Sequence, residues 1–420
     1  MRVQNLRLPM GAAALALALV CAAAACRSRS TTRVSTADPD DPSASRGART
    51  AEASTPRLLG PAPAATRGAR AIEQVAALDG AMPTGVAVSR EGRVFTCFPR
   101  WGDELEHSVA EVVDGAAVAY PDERINRWDP ERPGETFVCV QSVVVDARDR
   151  LWVLDPASPA LAGVVPGGAK LVEIDLGGDR VVRTIAFPEA VVPRTSYLND
   201  VRFDLRAGEG GFAYVTDSSP QGAIVVVDLA SGESWRRLAG HSSTRAEPGF
   251  QPFVEGRAVR RSAEGRSSQP FAVGSDGIAI SADGSRLWYC PLSSRRLYSV
   301  ETEALRDRAR SEDEVARTVR DEGEKPASDG LESDAEGRVY ATAYELDAVL
   351  RRERDGSWTT LVHDPRVLWP DTLAVGADGH LYGIANQLHR QPSFQEGRDL
   401  RQRPYLLFRV ANEGTPVRLR

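Results

Sequence analysis

The chain has 420 residues, a formal net charge of −6, 42% hydrophobic residues and ordinary contents of Gly (36) and Pro (27). Length alone suggests roughly two or three domains of about 150 residues each, and this composition excludes a chain that is disordered or fibrous throughout. The mild charge averages over unlike parts: residues 1–26 carry +2 and residues 27–70 carry +4, which leaves −12 on residues 71–420. So acidic a body argues against a nucleic-acid partner, whose phosphates demand a basic footprint, and leaves neutral or cationic partners open. Of 52 basic residues only Lys170 and Lys325 are lysines, read here as the codon bias of a GC-rich genome.

In chain order, the first segment is an address label. Arg2 and Arg7 precede an apolar run from Met10 to Val20, and small residues, Ala22 to Ala25, lead into Cys26. This is the pattern of a secretory signal peptide. The Ala-Ala-Ala-Cys ending resembles a bacterial lipoprotein cleavage box, with Ala23 where Leu is usual. On that reading Cys26 is lipidated and anchors the mature chain to an outer or cytoplasmic membrane. Plain secretion and a retained anchor are the alternatives, although Met10 to Cys26 is shorter than the ~20 residues a span needs. Residues 27–70 are rich in Ser, Thr, Pro, Ala and Arg, with Val34, Leu58 and Leu59 the only large aliphatics. A stretch of this kind cannot bury enough surface to order itself and reads as a flexible, disordered linker. If Cys21 is removed and Cys26 lipidated, Cys97, Cys139 and Cys290 remain. They allow one disulfide, with Cys97 and Cys139 as the pair, or three buried thiols.

Residues 71–420 repeat one layout six times: a polar start, a short aliphatic strand, a tight turn, then a strand with an aromatic residue. The starts are Thr84-Gly85-Val86, Gln141-Ser142-Val143, Asn199-Asp200-Val201, Asp276-Gly277-Ile278, Asp329-Gly330-Leu331 and Asp371-Thr372-Leu373. The turns include Glu91-Gly92, Arg148-Asp149, Asp283-Gly284, Glu336-Gly337 and Asp378-Gly379. Asp-Gly and Glu-Gly between alternating strands are hairpin signals, because Gly accepts the positive φ of a tight turn. Successive starts lie 42 to 77 residues apart, the size of a four-stranded blade with insertions. The fold class is therefore all-β, a six-bladed β-propeller over residues 71–420. Ring closure pairs a strand near Ile72 to Leu78 with the last blade, through Tyr405 to Val410. Between blades three and four, residues 240–272 suggest an outer strand over Phe253 to Arg260 and a cover for one face of the ring. Residues 302–324 suggest one or two short helices, with Thr302 as an N-cap.

Several segments then resemble a known family: Tyr197-Leu198-Asn199-Asp200, Ala213-Tyr214-Val215-Thr216-Asp217-Ser218, Asp276-Gly277-Ile278-Ala279 and Tyr289-Cys290-Pro291-Leu292-Ser293-Ser294-Arg295. Lys170 to Leu176, Ala304-Leu305-Arg306-Asp307 and Trp369-Pro370-Asp371 add to the likeness. Together they are similar to the major royal jelly protein/yellow family over most of residues 80–390. The resemblance implies a six-bladed propeller. It also implies a secreted protein, a pocket for small amines in some members, and a dopachrome-tautomerase activity attached to part of the family. Asn386 is a pocket candidate by the same resemblance. Insect members often carry a cysteine just before the position of Lys170 and this chain does not, so their disulfide pattern does not carry over.

In a propeller the first residues of the innermost strands ring one mouth of the axial channel. Here they are Thr84, Gln141, Asn199, Asp200, Asp276, Asp329 and Asp371, and with Asn386 they form the predicted ligand-binding set. Three Asp with amides around one cavity suit a cation, either a protonated amine or a hard metal such as Ca²⁺. Any one of these Asp could instead cap its blade by accepting backbone N–H bonds. No metal or other cofactor is predicted; if one binds, Asn199, Asp276 and Asp329 are its ligands. Metal-dependent propeller lactonases supply a Glu from the first blade, where this chain has Thr84. Elbow, zincin, Cys-x-x-Cys and P-loop signatures are missing from the sequence. As general acid–base candidates Asp276 and His241 remain. The leading expectation is an exported propeller binding a small cationic or aromatic molecule at the channel mouth. The alternatives are a tautomerase or isomerase acting on a dopachrome-like substrate, a metal-dependent lactonase-like hydrolase, or a structural surface protein using its blade edges.

Overall fold

The computed structural model describes residues 69–262 and 267–420. The signal peptide, the Cys26 lipidation site and nearly all of the predicted linker lie outside the described residues. The last linker residue, Arg70, is bonded to the body: its backbone N–H donates to Leu361 O at 2.8 Å and its guanidinium to Ala411 O at 2.7 Å.

The alternating segments fold as six four-stranded antiparallel sheets. Their innermost strands are Gly85–Val88, Ser142–Val145, Leu198–Asp204, Ser275–Ile280, Leu331–Ser333 and Pro370–Val375. Each inner strand touches the next, and the sixth returns to the first, so the sheets close into a six-bladed propeller. Closure is made by Glu73–Leu78, which pairs antiparallel with Tyr405–Ala411 and becomes the outermost strand of the sixth blade. The predicted turn glycines do what the turns require: Gly92, Gly284, Gly337 and Gly379 all have positive φ. In the second blade Asp149 takes that conformation itself, at φ 64°.

Apolar side chains pack between neighbouring blades. Tyr214, Ile224 and Val226 of the third blade, for example, meet Ile278, Leu287 and Tyr289 of the fourth. Each such fully buried side chain is worth about 1.5–3 kcal/mol of transfer free energy.

The inserts differ from expectation in detail. Phe253 to Arg260 is not an outer strand; the third blade already has one, Ser234–Arg237. Instead Phe253–Val254 and Arg257–Ala258 form a small hairpin, followed by a second between Arg260–Arg261 and Gln269–Pro270. Val254, Val259 and Phe271 pack with Tyr344, Trp369 and Leu388, so the insert does cover the end of the ring where the inner strands begin. Two short helices form, Thr302–Arg306 and Glu312–Ala316. Thr302 is not a cap: it lies inside the first helix, and its hydroxyl donates to Gly284 O at 2.6 Å. Glu301 is the N-cap residue of that helix and makes no side-chain cap bond, whereas the second helix is capped by Ser311 in a capping box with Glu314. Cys97, Cys139 and Cys290 are three separate buried thiols, and no Cys97–Cys139 disulfide forms.

Candidate functional site

The inner strands of blades three, four and six break register in the same place. Between Leu198 and Val201, Ser275 and Ile278, and Pro370 and Leu373, two residues face one on the neighbouring strand. Such bulges re-aim side chains, and the bulged residues are Asn199-Asp200, Asp276-Gly277 and Asp371-Thr372. Glycine is required at two of the starts because the next blade's backbone packs directly against it. A Cβ on Gly277 would lie 2.4 Å from Asp329 O, and one on Gly330 would lie 2.2 Å from Asp371 O. The Asp-Gly pairs at these starts are therefore close-approach points between inner strands, not turns.

This packing gathers five of the predicted residues. Asn199 Nδ2 donates to Asp276 Oδ2 at 2.8 Å, and Asn386 Nδ2 donates to Asp371 Oδ2 at 2.6 Å. The carboxyl groups of Asp276 and Asp329 hydrogen-bond to each other, which requires one proton between them. Trp369 Nε1–H donates to Asp329 Oδ2 at 2.7 Å. All three Asp are 5% exposed or less. Burial raises Asp276 well above the usual carboxylate range, with the charges of Asp329 and Asp371 adding to it. Burial likewise raises Asp371, aided by Asp329 and opposed by the bonds from Thr372 and Asn386. Asp329 is pushed up to about 6 by burial, restrained by the Trp369 N–H and by Asp276.

The other predicted residues are near the ring but already engaged. Thr84 donates to Gln141 O at 2.9 Å and accepts from Thr372 at its own carbonyl, tying blades six, one and two together. Gln141 Oε1 accepts from Tyr197 OH at 2.7 Å. Asp200 accepts from Ser142 Oγ at 2.6 Å and from Arg202 at 2.8 Å; Arg202 also lies 3.4 Å from Glu332. His241 is a turn cap: its Nδ1 bonds Ser243 within the turn Ser242–Thr244, and Ser243 bonds Tyr289 OH. Its bonding partners thus lie in its own turn and not among the ring carboxyls.

Above the ring lies a stack of aromatic residues that local sequence did not mark as a site. Trp369 sits between Tyr344, at 4.3 Å between ring centroids, and His389, at 5.7 Å. Trp369 has φ 52°, a strained conformation for a bulky side chain, and it immediately precedes Pro370 and Asp371. His389 in turn bonds Glu255 at 2.8 Å and lines a cleft of about 430 Å³ between the first hairpin of the insert and the loop after the sixth blade's second strand.

A calcium ion fits these groups poorly. The Asp276 and Asp329 oxygens that would coordinate it accept N–H bonds from Asn199 and Trp369. Hard cations need free oxygen ligands. Among the described residues no three His, Cys, Asp or Glu side chains are grouped as metal ligands.

By fold, the chain is similar to the calcium-binding protein regucalcin of Agrobacterium tumefaciens: TM-score 0.50 at 13% identity, covering 83% of this chain and 97% of that one. It is equally similar to a luciferin-regenerating enzyme, with TM-score 0.50 at 12% identity over 84% and 99%. At such identities the likeness speaks to the propeller alone. In sequence, the protein yellow of Drosophila subobscura is 28% identical over 266 residues, 58% of this chain and 44% of that protein. The yellow protein of Drosophila melanogaster is 26% identical over 248 residues, 56% and 43%. The chain thus spans less than half the length of these curated relatives. The matched stretch runs from the start of the second blade to the last, and residues 138–405, which hold five of the six inner strands and all three ring carboxyls, fit the family described as Major royal jelly protein. With the propeller, the ordered motifs and this match in agreement, the chain belongs to the major royal jelly protein family.

Proposed function

We propose that this is an exported propeller that binds a small cation, a protonated amine on an apolar or aromatic body, against Asp276, Asp329 and Asp371. The observation that carries this reading is the burial of three carboxyl groups facing one another, none of them within ion-pair distance of an Arg or Lys among the described residues. Burying carboxyls without a countercharge is unfavourable, and a cation arriving among them offsets the burial and mutual repulsion that raise Asp276 and Asp371. The Trp369 indole, bonded to Asp329 and stacked on Tyr344, puts aromatic surface suited to an amine's apolar part beside the acidic groups. Export rests on the run from Arg2 to Cys26, and anchoring on lipidation of Cys26.

Calorimetry against aromatic amines tests the reading. Binding should weaken at least on the order of tenfold in Asp276→Asn and in Asp371→Asn. It should also release protons, so the measured heat changes with the ionisation enthalpy of the buffer. No heat from any amine, or binding that both variants leave unchanged, overturns it.

The hydrogen-bonded Asp276–Asp329 pair favours a second reading, a tautomerase or isomerase in which the shared proton is delivered by Asp276 and returned through Asp329. Turnover of a dopachrome-like substrate that disappears in Asp276→Asn would select it. No comparable observation favours the metal-dependent lactonase.

A further inference from the structure

The three ring carboxyls and Asn386 are buried, so a ligand cannot reach them unless part of the protein moves. The far end of the axial channel offers no way in. There the Arg202 guanidinium, further along its inner strand than Asn199 and Asp200, donates to Asp200 Oδ2 and to Leu331 O, each at 2.8 Å. The second bond joins blade three to blade five and so lies across the channel. Beyond it the last residues of the chain cross the same mouth. They are held to blade five by Ala335 N–H on Thr415 O and to blade three by Leu205 N–H on Leu419 O, both at 2.9 Å. Between these anchors, Pro416 and Val417 line a cavity shared with all six inner strands.

At the near end the ring lies under the insert, which is held in another way. The hairpin of Phe253–Val254 with Arg257–Ala258 is a separate two-stranded sheet. Among the described residues no backbone–backbone hydrogen bond ties residues 253–258 to a blade, and within them only Val254 is buried. Two carboxylates hold the hairpin down. Glu345 Oε1 accepts from Phe253 N at 2.8 Å. Glu255, at φ 50° in the hairpin turn, accepts from Arg390 Nε at 2.8 Å and from a terminal nitrogen of the same guanidinium, and bonds His389 Nε2 at 2.8 Å. His389 stacks on Trp369, and Trp369 bonds Asp329, so three contacts in series lead from the hairpin turn to a ring carboxyl. Elements with little buried surface and no backbone ladder to their neighbours open at the least free energy, and lids over binding sites are drawn from them. Resting on the reading of the ring as a cation site, we propose that this hairpin is the gate through which the ligand enters and leaves, and that Glu255 is its latch. Opening withdraws Glu255 from Arg390 and His389, releases the His389 ring from Trp369, and extends the cleft of about 430 Å³ beside the hairpin towards Asp329.

Trp369 is fully buried and its indole N–H is bonded to Asp329, so deuterium exchange of that N–H, followed by NMR, reads opening without any ligand. The indole N–H of Trp152, as deeply buried in blade two and bonded to Asp146 at 2.9 Å, is the control for unfolding of the blades. Trp369 exchange should speed up on the order of tenfold in Glu255→Gln, with Trp152 exchange unchanged. Arg390→Gln, which breaks the latch from its other side, should act in the same direction. With benzylammonium as the ligand, stopped-flow fluorescence of Glu255→Gln should show association and dissociation both faster by on the order of tenfold, and Kd within about twofold of wild type, because a gate acts on both rates alike. Trp369 exchange unchanged in both variants, or Trp152 exchange accelerated to the same extent, overturns the gate. If Trp369 exchange accelerates alone and benzylammonium does not bind, the gate stands and the cation reading falls. If benzylammonium binds at rates that Glu255→Gln leaves unaltered, the reverse holds.

Discussion

Asp155 and Asp217 are buried as completely as the ring carboxyls, yet they have the opposite character. Each ends the second strand of its blade, in blades two and three. Asp155 accepts from the N–H groups of Val138, Cys139 and Ala157 and pairs with Lys170. Asp217 accepts from Tyr197 N, Ser219 N and Ser196 Oγ and pairs with Arg236 at 2.8 Å. Burial pushes Asp217 up, but Arg236 and those N–H bonds outweigh it and hold the carboxyl below its usual range. Blades four to six present Asp276, Asp329 and Asp371, which face one another and are pushed up instead. Burial of a carboxylate therefore says little about purpose. What it is bonded to decides whether its pKa falls, as for Asp217, or rises, as for the ring carboxyls.

Three substitutions press on that contrast. The largest effect should come from Lys170→Met, which strands Asp155 in the interior; breaking a buried pair from one side costs about 3–5 kcal/mol, read as a fall in the denaturation midpoint. Asp329→Asn should have the opposite sign at neutral pH. A carboxyl whose folded pKa is raised to about 6 binds protons more tightly in the folded chain than in the unfolded one. Its stabilising contribution is complete below the unfolded value and is lost as pH rises through the folded one. Asp329→Asn should therefore stabilise the protein by on the order of 2 kcal/mol at pH 7 and flatten the decline in melting temperature between about pH 4 and 6. A destabilised Asn variant would place Asp329 with Asp155 as a structural carboxylate. The smallest effect belongs to Trp369→Phe. It removes the N–H bond to Asp329 and keeps most of the stacking, for a loss of about 1–2 kcal/mol and a further rise in the Asp329 pKa visible by NMR titration.

The propeller and its closure were legible because their signals are local. Glycine-containing turns, aliphatic alternation and the polar strand starts all sit within a few residues of one another. So were four of the five gathered residues, since each is at or beside a strand start; Asn386, just past the end of His380–Ala385, was reached only through the family resemblance. The partition within the ring was not legible. Thr84 and Asp200 look like Asp276 in sequence, but their polar atoms are taken up by the Gln141 carbonyl and by Arg202, contacts that depend on how neighbouring blades meet. Trp369 reaches the ring from the segment between blades five and six, where no periodicity points inward.

The closing strand has a kinetic consequence. Asp371 and Asn386 belong to the sixth blade, whose outermost strand, Glu73–Leu78, comes from the opposite end of the body. That pairing joins residues more than three hundred positions apart, and contacts of such long sequence separation form slowly. The sixth blade cannot be completed until nearly the whole body has been synthesised and its two ends have met. The assembled carboxyl cluster is thus a record of finished folding, and its appearance on refolding should lag the formation of blades two to five.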